Sequence, residues 1–446
     1  MISFKSFLNN SSDLDKSFFK TLLTTYFSKA VSLFSSFLVI PLVLNYLGQE
    51  KYGVLITMIS ILGWLYLLDL GIASSVKNLV SKFHAINDKL KLSSTFFNAL
   101  LLLSLIFIIT TLIIIIVIPQ FNWYVVFKTK SVSNTEINEI LIYSAIIYLL
   151  NMLFSVGNNF LFGIQKGFIN NYFNAIGSLL GLISIYIAIK VNAPMVFIIN
   201  LYSGGFLFGN LMSLIYSLFY CKELNFNNIK LDKDLISQIF QMGSGFFTLG
   251  IISVLIYTSN NILITQYIGP SKISEFDPIM RLNQLIIQAS SLYAVSLWPA
   301  YTNAISRNDL IWAKNKFFFS LKITTFLFVL PVIILMIFGP QIVGYWLNGK
   351  SVPTIGLCIS IGIWTIIFLF NQVFGTLING AGLMKKQIKY GFLSIIIFLL
   401  TGIFLIQKYG LIGLSVAGII SSSVGLFANP FIIYKYLLNK KETQNN

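Results

Sequence analysis

Long uninterrupted apolar segments alternate along the chain with short polar connectors. Two of these segments, 100–118 and 392–406, contain no charged residue. A helix rises about 1.5 Å per residue, so roughly 20 apolar residues cross the ~30 Å hydrocarbon core of a bilayer. A strand of a membrane β-barrel would instead alternate apolar and polar residues over about ten positions. The pattern therefore predicts helices that span a membrane.

The pattern predicts twelve such spans. Every backbone amide within hydrocarbon must find an internal partner, which a helix provides. An even number of spans places both ends of the chain on the same side of the membrane. The predicted spans are 22–46, 53–76, 96–118, 138–163, 171–190, 195–219, 240–266, 276–299, 318–338, 354–378, 391–407 and 411–434.

Composition supports a polytopic membrane protein. The 446 residues are 56% hydrophobic and 10% charged, with a mean hydropathy of +0.83. A water-soluble domain could not bury this much apolar surface. The formal net charge of +16 would suggest nucleic acid as the partner of a soluble protein, but in a membrane protein the location of the cations matters more than their sum. We therefore expect no nucleic-acid partner.

The distribution of lysine and arginine predicts the orientation in the membrane. Twenty of the 30 cations lie in segments on the side of the two termini, seven lie in the opposite segments, and three lie within spans. Cytoplasmic segments of membrane proteins carry an excess of these residues. We therefore expect both termini in the cytoplasm.

Glycine-centred motifs recur at nearly constant distance along the chain. Gly48 ends the first hairpin turn and Gly269 ends the seventh span, 221 positions later, while Gly163 and Gly380 close the fourth and tenth spans, 217 positions apart. We therefore expect two halves of six helices each, in the same orientation and related by an axis along the membrane normal. The predicted divisions are a first lobe (1–220), a cytoplasmic linker (221–239) and a second lobe (240–446).

Small residues predict close helix packing in the first half. Gly177 and Gly181 are four positions apart in the fifth span, and Gly205 and Gly209 are four positions apart in the sixth. This spacing is typical of membrane helices whose backbones approach closely.

Five polar side chains of the eighth predicted span share one helical face. Intervals of four, three, four and three positions place them one above another on an α-helix. An arginine near the middle of a bilayer alone costs about 2.5–3.5 kcal/mol on insertion scales, so this face is expected to border a wet cavity or another polar surface. The five residues are Asp277, Arg281, Gln284, Gln288 and Ser291.

Arg281 has two interpretations. Its planar guanidinium could hold a pyrophosphate or an acidic sugar, while Gln284 and Gln288 contact hydroxyl groups. Alternatively, Arg281 pairs with Asp277, four positions earlier, and extends toward the membrane interface.

The first and seventh spans carry further polar candidates. Asn260 and Asn261 could contact substrate or form helix–helix hydrogen bonds, which are worth about 0.6 kcal/mol each in membranes. Ser32 belongs to a hydroxyl-bearing face that suits sugar hydroxyls and close helix packing equally well. That face comprises Thr21, Thr25, Ser28, Ser32 and Ser35.

Lys29 and Asp69 stand 20 positions before and after position 49, the middle of the first hairpin. Two antiparallel helices that leave one turn with a rise of ~1.5 Å per residue would bring both side chains to the same depth, ~30 Å from the turn. We expect an ion pair, because two lone charges in a low dielectric are unfavourable. A functional role is also open, with Lys29 attracting the phosphate of the substrate or Asp69 taking part in ion coupling.

The segment Gly344–Ser351 matches the phosphate-loop pattern of nucleotide-binding proteins. That mechanism needs a strand before the loop and a helix directly after it, whereas an apolar helix precedes this segment and Pro353 follows it. We expect no nucleotide and no other cofactor. The sequence also lacks paired carboxylates, a metal-ligand cluster and a nucleophile–base set, which argues against an enzyme.

Several short motifs carry a family resemblance. They are Tyr52-Gly53-Val54-Leu55, Gly63-Trp64-Leu65, Leu68-Asp69-Leu70-Gly71, Lys77-Asn78, Trp298-Pro299-Ala300-Tyr301 with Asp309 and Trp312, and Asn379-Gly380 with Lys385 and Gln387. With these motifs and its 6+6 layout, the chain resembles Wzx-type O-antigen flippases of the multidrug/oligosaccharidyl-lipid/polysaccharide exporter superfamily. The motifs are typical of polysaccharide exporters as a group and specify no single glycan.

The resemblance implies a flippase that moves an undecaprenyl-pyrophosphate-linked oligosaccharide to the outer leaflet of the bacterial cytoplasmic (inner) membrane by alternating access. It implies a MATE-like, V-shaped fold of two lobes whose cavity is lined by the first, second, seventh and eighth spans. The partners that follow are this glycan, membrane lipid, a coupling ion (H⁺ or Na⁺) and the glycan polymerase machinery.

Two other functions remain open from the sequence. One is an ion-coupled antiporter of the same fold that exports drugs or cations, although Lys29, Arg281 and Lys322 against Asp69 favour an anionic substrate. The other is a membrane glycan polymerase or transferase. Such an enzyme would need acids or arginines in large external loops, whereas the longest one, 119–137, contains one glutamate and two lysines.

Overall fold

The computed structural model describes residues 13–222 and 231–445. Within these ranges the side chains of 13–19, 22, 222, 245, 246, 249, 252, 253, 256, 257, 295, 296, 299, 385 and 436–445 are not described. The two extreme ends of the chain, which we predict to be cytoplasmic, and the middle of the predicted linker 221–239 lie outside the described residues.

The described chain folds almost entirely into helices. They are α1 (Asp13–Gly63), α2 (Ile72–Ala85), α3 (Lys89–Val117), α4 (Trp123–Phe127), α5 (Asn134–Gly163), α6 (Gly167–Lys190), α7 (Met195–Lys222), α8 (Lys233–Tyr267), α9 (Ile273–Ser306), α10 (Leu310–Ile323), α11 (Leu330–Trp346), α12 (Ile355–Gly380) and α13 (Met384–Asn445). Short 3₁₀ turns cover Trp64–Asp69, Ile118–Gln120 and Pro270–Lys272, and a π-helical turn, Thr324–Val329, joins α10 to α11.

Eight helical segments of the described chain are long and apolar enough to cross a membrane. Two of them, Leu23–Asp69 and Lys386–Lys435, each contain a glycine with non-helical backbone angles, Gly48 and Gly410. The predicted class, an all-helical multi-pass membrane protein, is confirmed. The number of twelve spans and the repeat of two six-helix lobes stay predictions.

The glycines that mark the predicted repeat end helical segments. Gly48 (φ 76°, ψ 172°) and Gly269 (φ 106°, ψ 154°) both adopt a backbone conformation that is essentially restricted to glycine. Gly163 is the last residue of α5, and Gly380 is the last residue of α12. Each landmark therefore ends a helix, as the sequence predicts.

The chain forms two compact units. Unit 1 contains residues up to Leu47, Met58–Val126 and Lys130–Val254. Unit 2 contains Gly48–Thr57, Phe127–Thr129 and the chain from Leu255 onwards. The predicted division into lobes 1–220 and 240–446 stays a prediction.

The core of unit 1 lies between α2, α3, α5 and α7. Phe96 of α3 and Phe160 of α5 are fully buried there, with ring centroids 4.8 Å apart. Asparagines bond to one another beside this core: the Asn158 amide donates to Asn210 Oδ1 (2.7 Å), and the Asn210 amide donates to Asn151 Oδ1 (2.6 Å). Asn210 of α7 thus links two positions, seven residues apart, on α5.

Glycines bring α6 and α7 into close backbone contact, as their spacing predicts. A Cβ added to Gly177 would lie 2.3 Å from the carbonyl oxygen of Gly205, and a Cβ on Gly205 would lie 2.4 Å from that of Gly177. Side chains at these positions would force the two helices apart.

Unit 2 is built on α12, which packs against α9 and α13. The indole ring of Trp364 (α12) stacks on Phe398 (α13), with 6.1 Å between ring centroids. It also covers Gly418, where an added Cβ would lie 2.4 Å from the indole. The indole is thus held between two segments of α13.

We predict that Gly205→Ala lowers the stability of the protein. The new methyl group would meet backbone atoms of α6, which cannot move aside independently, and overpacking of this kind typically costs about 1–3 kcal/mol. Thermal unfolding of the purified protein in detergent, followed by circular dichroism, should show a lower midpoint.

The neighbouring glycine provides a matched control. A Cβ on Gly204 would meet no atom within 4 Å. Gly204→Ala should therefore leave the midpoint unchanged or raise it, since alanine favours a helix over glycine by up to about 1 kcal/mol. Equal midpoints for the two variants would contradict the close packing of α6 and α7.

Candidate functional site

The polar face of α9 begins with a buried network of three side chains in unit 2. Asp277 is 8% exposed, and its Oδ2 accepts hydrogen bonds from the Tyr52 hydroxyl (2.7 Å) and from Arg281 Nε (2.7 Å). Tyr52 itself is 1% exposed. The predicted pairing of Asp277 with Arg281 is therefore confirmed. We call Tyr52, Asp277 and Arg281 the polar network.

The two charged members of the polar network differ in exposure. The side chain of Asp277 is 10% exposed, whereas that of Arg281 is 37% exposed. The carboxylate is thus enclosed by its two donors while the guanidinium reaches the molecular surface. The positive end of the pair is the accessible one.

The segment that carries Tyr52 is fixed tightly within unit 2. A Cβ added to Gly53 would lie 1.7 Å from the carbonyl oxygen of Pro270, so only glycine fits there. One turn further, the hydroxyl groups of Thr57 and Thr265 are 2.6 Å apart and hydrogen-bonded. These contacts hold the Tyr52 hydroxyl against Asp277. Sequence analysis missed Tyr52 as a site residue, although it opens the motif Tyr52-Gly53.

The remaining residues of the α9 face lie in different surroundings. Gln284 lines a cavity of about 230 Å³ between α9, α12 and α13. Gln288 is half-buried, and Ser291 accepts a hydrogen bond from Gln372 Nε2 of α12 (2.6 Å). The predicted stripe therefore borders a cavity at Gln284, and at Ser291 it contributes to helix packing.

That cavity lies wholly within unit 2, and we call it the amide cavity. Its walls combine aromatic rings with amide and hydroxyl groups from three helices. The principal lining residues are Gln284, Trp364, Asn371, Gln387, Tyr390 and Asn429. Of these, the sequence analysis singled out Gln284 as a site residue and Gln387 only as part of a motif, because the others follow no regular spacing along the chain.

The two asparagines of α8 also belong to unit 2. Asn260 is buried and Asn261 is half-buried. Their role in substrate contact or in helix packing stays a prediction.

The predicted ion pair between Lys29 and Asp69 is wrong. Within the described part of the chain, Asp69 accepts a hydrogen bond from the backbone amide of Ala73 at the start of α2 (2.9 Å) and pairs with no cation. Lys29 is exposed and contacts no described acidic group. The prediction assumed a straight α-helix as far as position 69, whereas the chain forms a 3₁₀ turn from residue 64 and then breaks at Leu70 and Gly71, both with left-handed φ.

The hydroxyl-bearing face of the first span packs against α6. Asn171 Nδ2 donates to the hydroxyl of Thr25 (2.8 Å), and the hydroxyls of Ser32 and Ser178 are 2.6 Å apart. Of the two interpretations of this face, the described contacts favour close packing. A substrate contact for Ser32 stays a prediction.

The segment that matches the phosphate-loop pattern has a different structure. Its Gly344 and Trp346 belong to α11, and the described chain contains no strand before it. Ser351, which would bind magnesium in a phosphate loop, is buried and donates a hydrogen bond to the Ser274 hydroxyl (3.1 Å). The geometry is that of a helix-connecting turn.

The fold is similar to those of solved transporters. An inward-facing multidrug resistance MATE family transporter of the MOP superfamily aligns with a TM-score of 0.76 at 14% identity, over 91% of this chain and 95% of that one. The lipid II flippase MurJ in an inward closed conformation aligns with a TM-score of 0.70 at 14% identity, over 93% of this chain and 87% of that one. These likenesses show the fold.

Curated relatives come from enterobacterial polysaccharide systems. A "Putative O-antigen export protein" of Yersinia pseudotuberculosis is 23% identical over 63% of this chain and 64% of its own length. A "Putative O-antigen transporter" of Salmonella typhi is 22% identical over 93% of this chain and 95% of its own length. The chain thus matches somewhat less than two thirds of the Yersinia relative and nearly all of the Salmonella typhi relative.

These findings confirm the resemblance that the motifs indicate. A family model described as "Polysaccharide biosynthesis protein" matches residues 19–305, which is more than half of the chain. The protein therefore belongs to the polysaccharide biosynthesis protein family.

Proposed function

We propose that the protein is a flippase that moves an undecaprenyl-pyrophosphate-linked oligosaccharide across the bacterial cytoplasmic membrane by alternating access. One observation carries the proposal: Lys29 and Arg281, in the predicted spans 22–46 and 276–299, are accessible cations, whereas Asp69 and Asp277 in the predicted spans are engaged in hydrogen bonds. The proposal includes twelve spans in two lobes and cytoplasmic termini. It also includes coupling to an H⁺ or Na⁺ gradient and contact with the glycan polymerase machinery.

Lys29 is the first accessible cation. It lies in the candidate span Leu23–Asp69, it is exposed, and it forms no ion pair or hydrogen bond with another described residue. A lysine that faced hydrocarbon at this position would be costly, so such residues in membrane proteins face a bundle interior or a watery cavity. An exposed ammonium group without a carboxylate attracts an anion such as the pyrophosphate of a lipid carrier.

Arg281 is the second accessible cation. Its Nε is bound to Asp277, which fixes the plane of the guanidinium, and more than a third of the side chain is exposed. A guanidinium with a fixed orientation suits the two-pronged recognition of phosphate oxygens, because little side-chain entropy is lost on binding. Asp277 and Tyr52 thus act as positioning residues for Arg281.

The comparisons support a glycan as the group that is carried. Both named relatives are described by O-antigen export or transport, and the family description concerns polysaccharide biosynthesis. One neighbour in fold is a lipid II flippase. An antiporter for cationic drugs fits less well, since exposed cations in the spans would repel such substrates. Transport requires no covalent chemistry, so the proposal makes the protein a non-enzyme.

We predict that Arg281→Gln reduces the initial rate of translocation about tenfold or more, because a charge-assisted, two-pronged contact with phosphate is lost. The measurement uses proteoliposomes with a fluorescent undecaprenyl-pyrophosphate oligosaccharide and an impermeant quencher. Arg281→Lys keeps the positive charge but not the planar guanidinium, so its translocation rate should fall less. Arg307→Gln, which removes an exposed arginine directly after α9 and outside the predicted spans, is the matched control and should be unchanged.

The double variant Asp277→Asn/Arg281→Gln distinguishes a substrate contact from a structural pair. It leaves no buried carboxylate without its partner, so the folded protein should regain most of the stability that Arg281→Gln loses. Translocation should stay low. Recovery of the rate together with the stability would show that Arg281 serves only to neutralise Asp277.

We also predict that Lys29→Gln and Asp69→Asn act independently on translocation. Lys29→Gln should slow transport because it removes an accessible cation. Asparagine at position 69 keeps an oxygen that can accept from Ala73, so the start of α2 should persist and the effect should be small. Since the two side chains form no ion pair, the rate factors of the single variants should multiply in the double variant. A double variant faster than Lys29→Gln alone would indicate a pair that forms during transport.

A further inference from the structure

The amide cavity has the features of a ligand-binding site. It lies between α9, α12 and α13, entirely within unit 2, and all of its lining side chains are uncharged. Its volume is about 230 Å³, and it is open to solvent on one side.

Three polar groups on the wall of this cavity have no partner in the described part of the chain. The side chains of Gln284, Gln387 and Tyr390 line the cavity, and none of them forms a hydrogen bond with another described residue. They come from α9 and from the first part of α13. Polar groups in a largely apolar wall are unfavourable unless water or a ligand satisfies them.

The Gln387 amide lies close to the backbone of α12. A Cβ added to Gly375 of α12 would lie 2.6 Å from Gln387 Nε2. Gln387 of α13 therefore reaches the neighbouring helix at the edge of the cavity.

The rest of the wall is held by internal hydrogen bonds. Trp364 Nε1 donates to the Ser422 hydroxyl (3.0 Å), and Asn371 Nδ2 donates to the Ser422 carbonyl (2.8 Å). Asn429 Nδ2 in turn donates to Asn371 Oδ1 (3.3 Å). Because the indole also stacks on Phe398 and covers Gly418, it forms a fixed part of the wall.

The chemistry of the wall selects among ligands. Amides and a phenol offer both donors and acceptors, which suits hydroxyl groups. A divalent cation would be expected to recruit carboxylates, and an anion would be expected to recruit lysine or arginine, neither of which lines the cavity. The ligand class that satisfies all of these groups is an uncharged, hydroxyl-rich ring.

We infer that the amide cavity binds an uncharged sugar ring through Gln284, Gln387 and Tyr390. This inference rests on the proposed function, since the sugar would belong to the transported glycan. Charge recognition by Arg281 and sugar recognition in the amide cavity then occupy successive turns of α9, with Gln284 three positions after Arg281.

The test measures binding of simple sugars to the full-length protein in nanodiscs. The probes are the methyl glycosides of glucose, galactose and N-acetylglucosamine, with tryptophan fluorescence and the thermal unfolding midpoint as the two signals. At least one glycoside should raise the midpoint and change the fluorescence in a saturable manner. Absence of both signals for all three glycosides would overturn the inference.

Matched variants locate the binding. Gln284→Leu and Gln387→Leu keep a similar volume while they remove the hydrogen-bonding groups, so each should weaken the apparent affinity about fivefold or more. Gln407→Leu is the control, because Gln407 is an exposed glutamine of α13 that does not line the cavity. Equal affinities in Gln284→Leu and Gln407→Leu would show that the sugar binds elsewhere.

Translocation assays separate this inference from the proposed function. If wild-type protein moves the lipid-linked oligosaccharide but no glycoside binds, only the sugar site is wrong. If a glycoside binds in the cavity but the lipid-linked oligosaccharide does not move, the sugar site stands and the flippase proposal fails.

Discussion

The cost of an unsatisfied polar group in a membrane governs how this protein is built. Most buried polar side chains meet this constraint locally: Asp277 receives two donors, Asn210 links two asparagines of a neighbouring helix, and serine or threonine hydroxyls bond to carbonyls one turn earlier. Lys29 and the Gln284 and Gln387 amides of the cavity are accessible and have no such partner among the described residues, which makes them informative. They are the groups for which solvent or substrate must provide the partner.

Much of the fold could be predicted from the sequence because membrane helices are specified locally. Length and hydropathy predicted the helices, and the glycines at 48, 163, 269 and 380 predicted where segments end. Spacing alone also predicted the contact of α6 with α7 and the pairing of Asp277 with Arg281, since residues four apart meet on one helix. The resemblance to polysaccharide exporters, based on short motifs, agrees with the family and fold comparisons.

The sequence could not predict contacts that depend on irregular backbone or that join segments distant along the chain. Lys29 and Asp69 were expected to meet because a constant rise per residue was assumed, and the 3₁₀ turn before Leu70 invalidates that assumption. Tyr52 and Asp277 are 225 positions apart, so no periodicity connects them. The amide cavity combines side chains from three helices. The relative rotation of these helices is set by packing contacts such as that of the Trp364 indole with Gly418.

The turn at Gly48, where a single non-helical residue joins two helical segments, has an evolutionary consequence. Because this turn contains no loop residues, it fixes the rotation of the helical segment that follows it. Each inserted residue would rotate that segment by about 100°. Four residues after Gly48, such a rotation would carry the Tyr52 hydroxyl away from Asp277 and bring a side chain into the space that Gly53 leaves beside Pro270. Length variation, common in the connectors of other proteins, is thus excluded at this turn, and homologues should differ there by substitution and not by insertion or deletion.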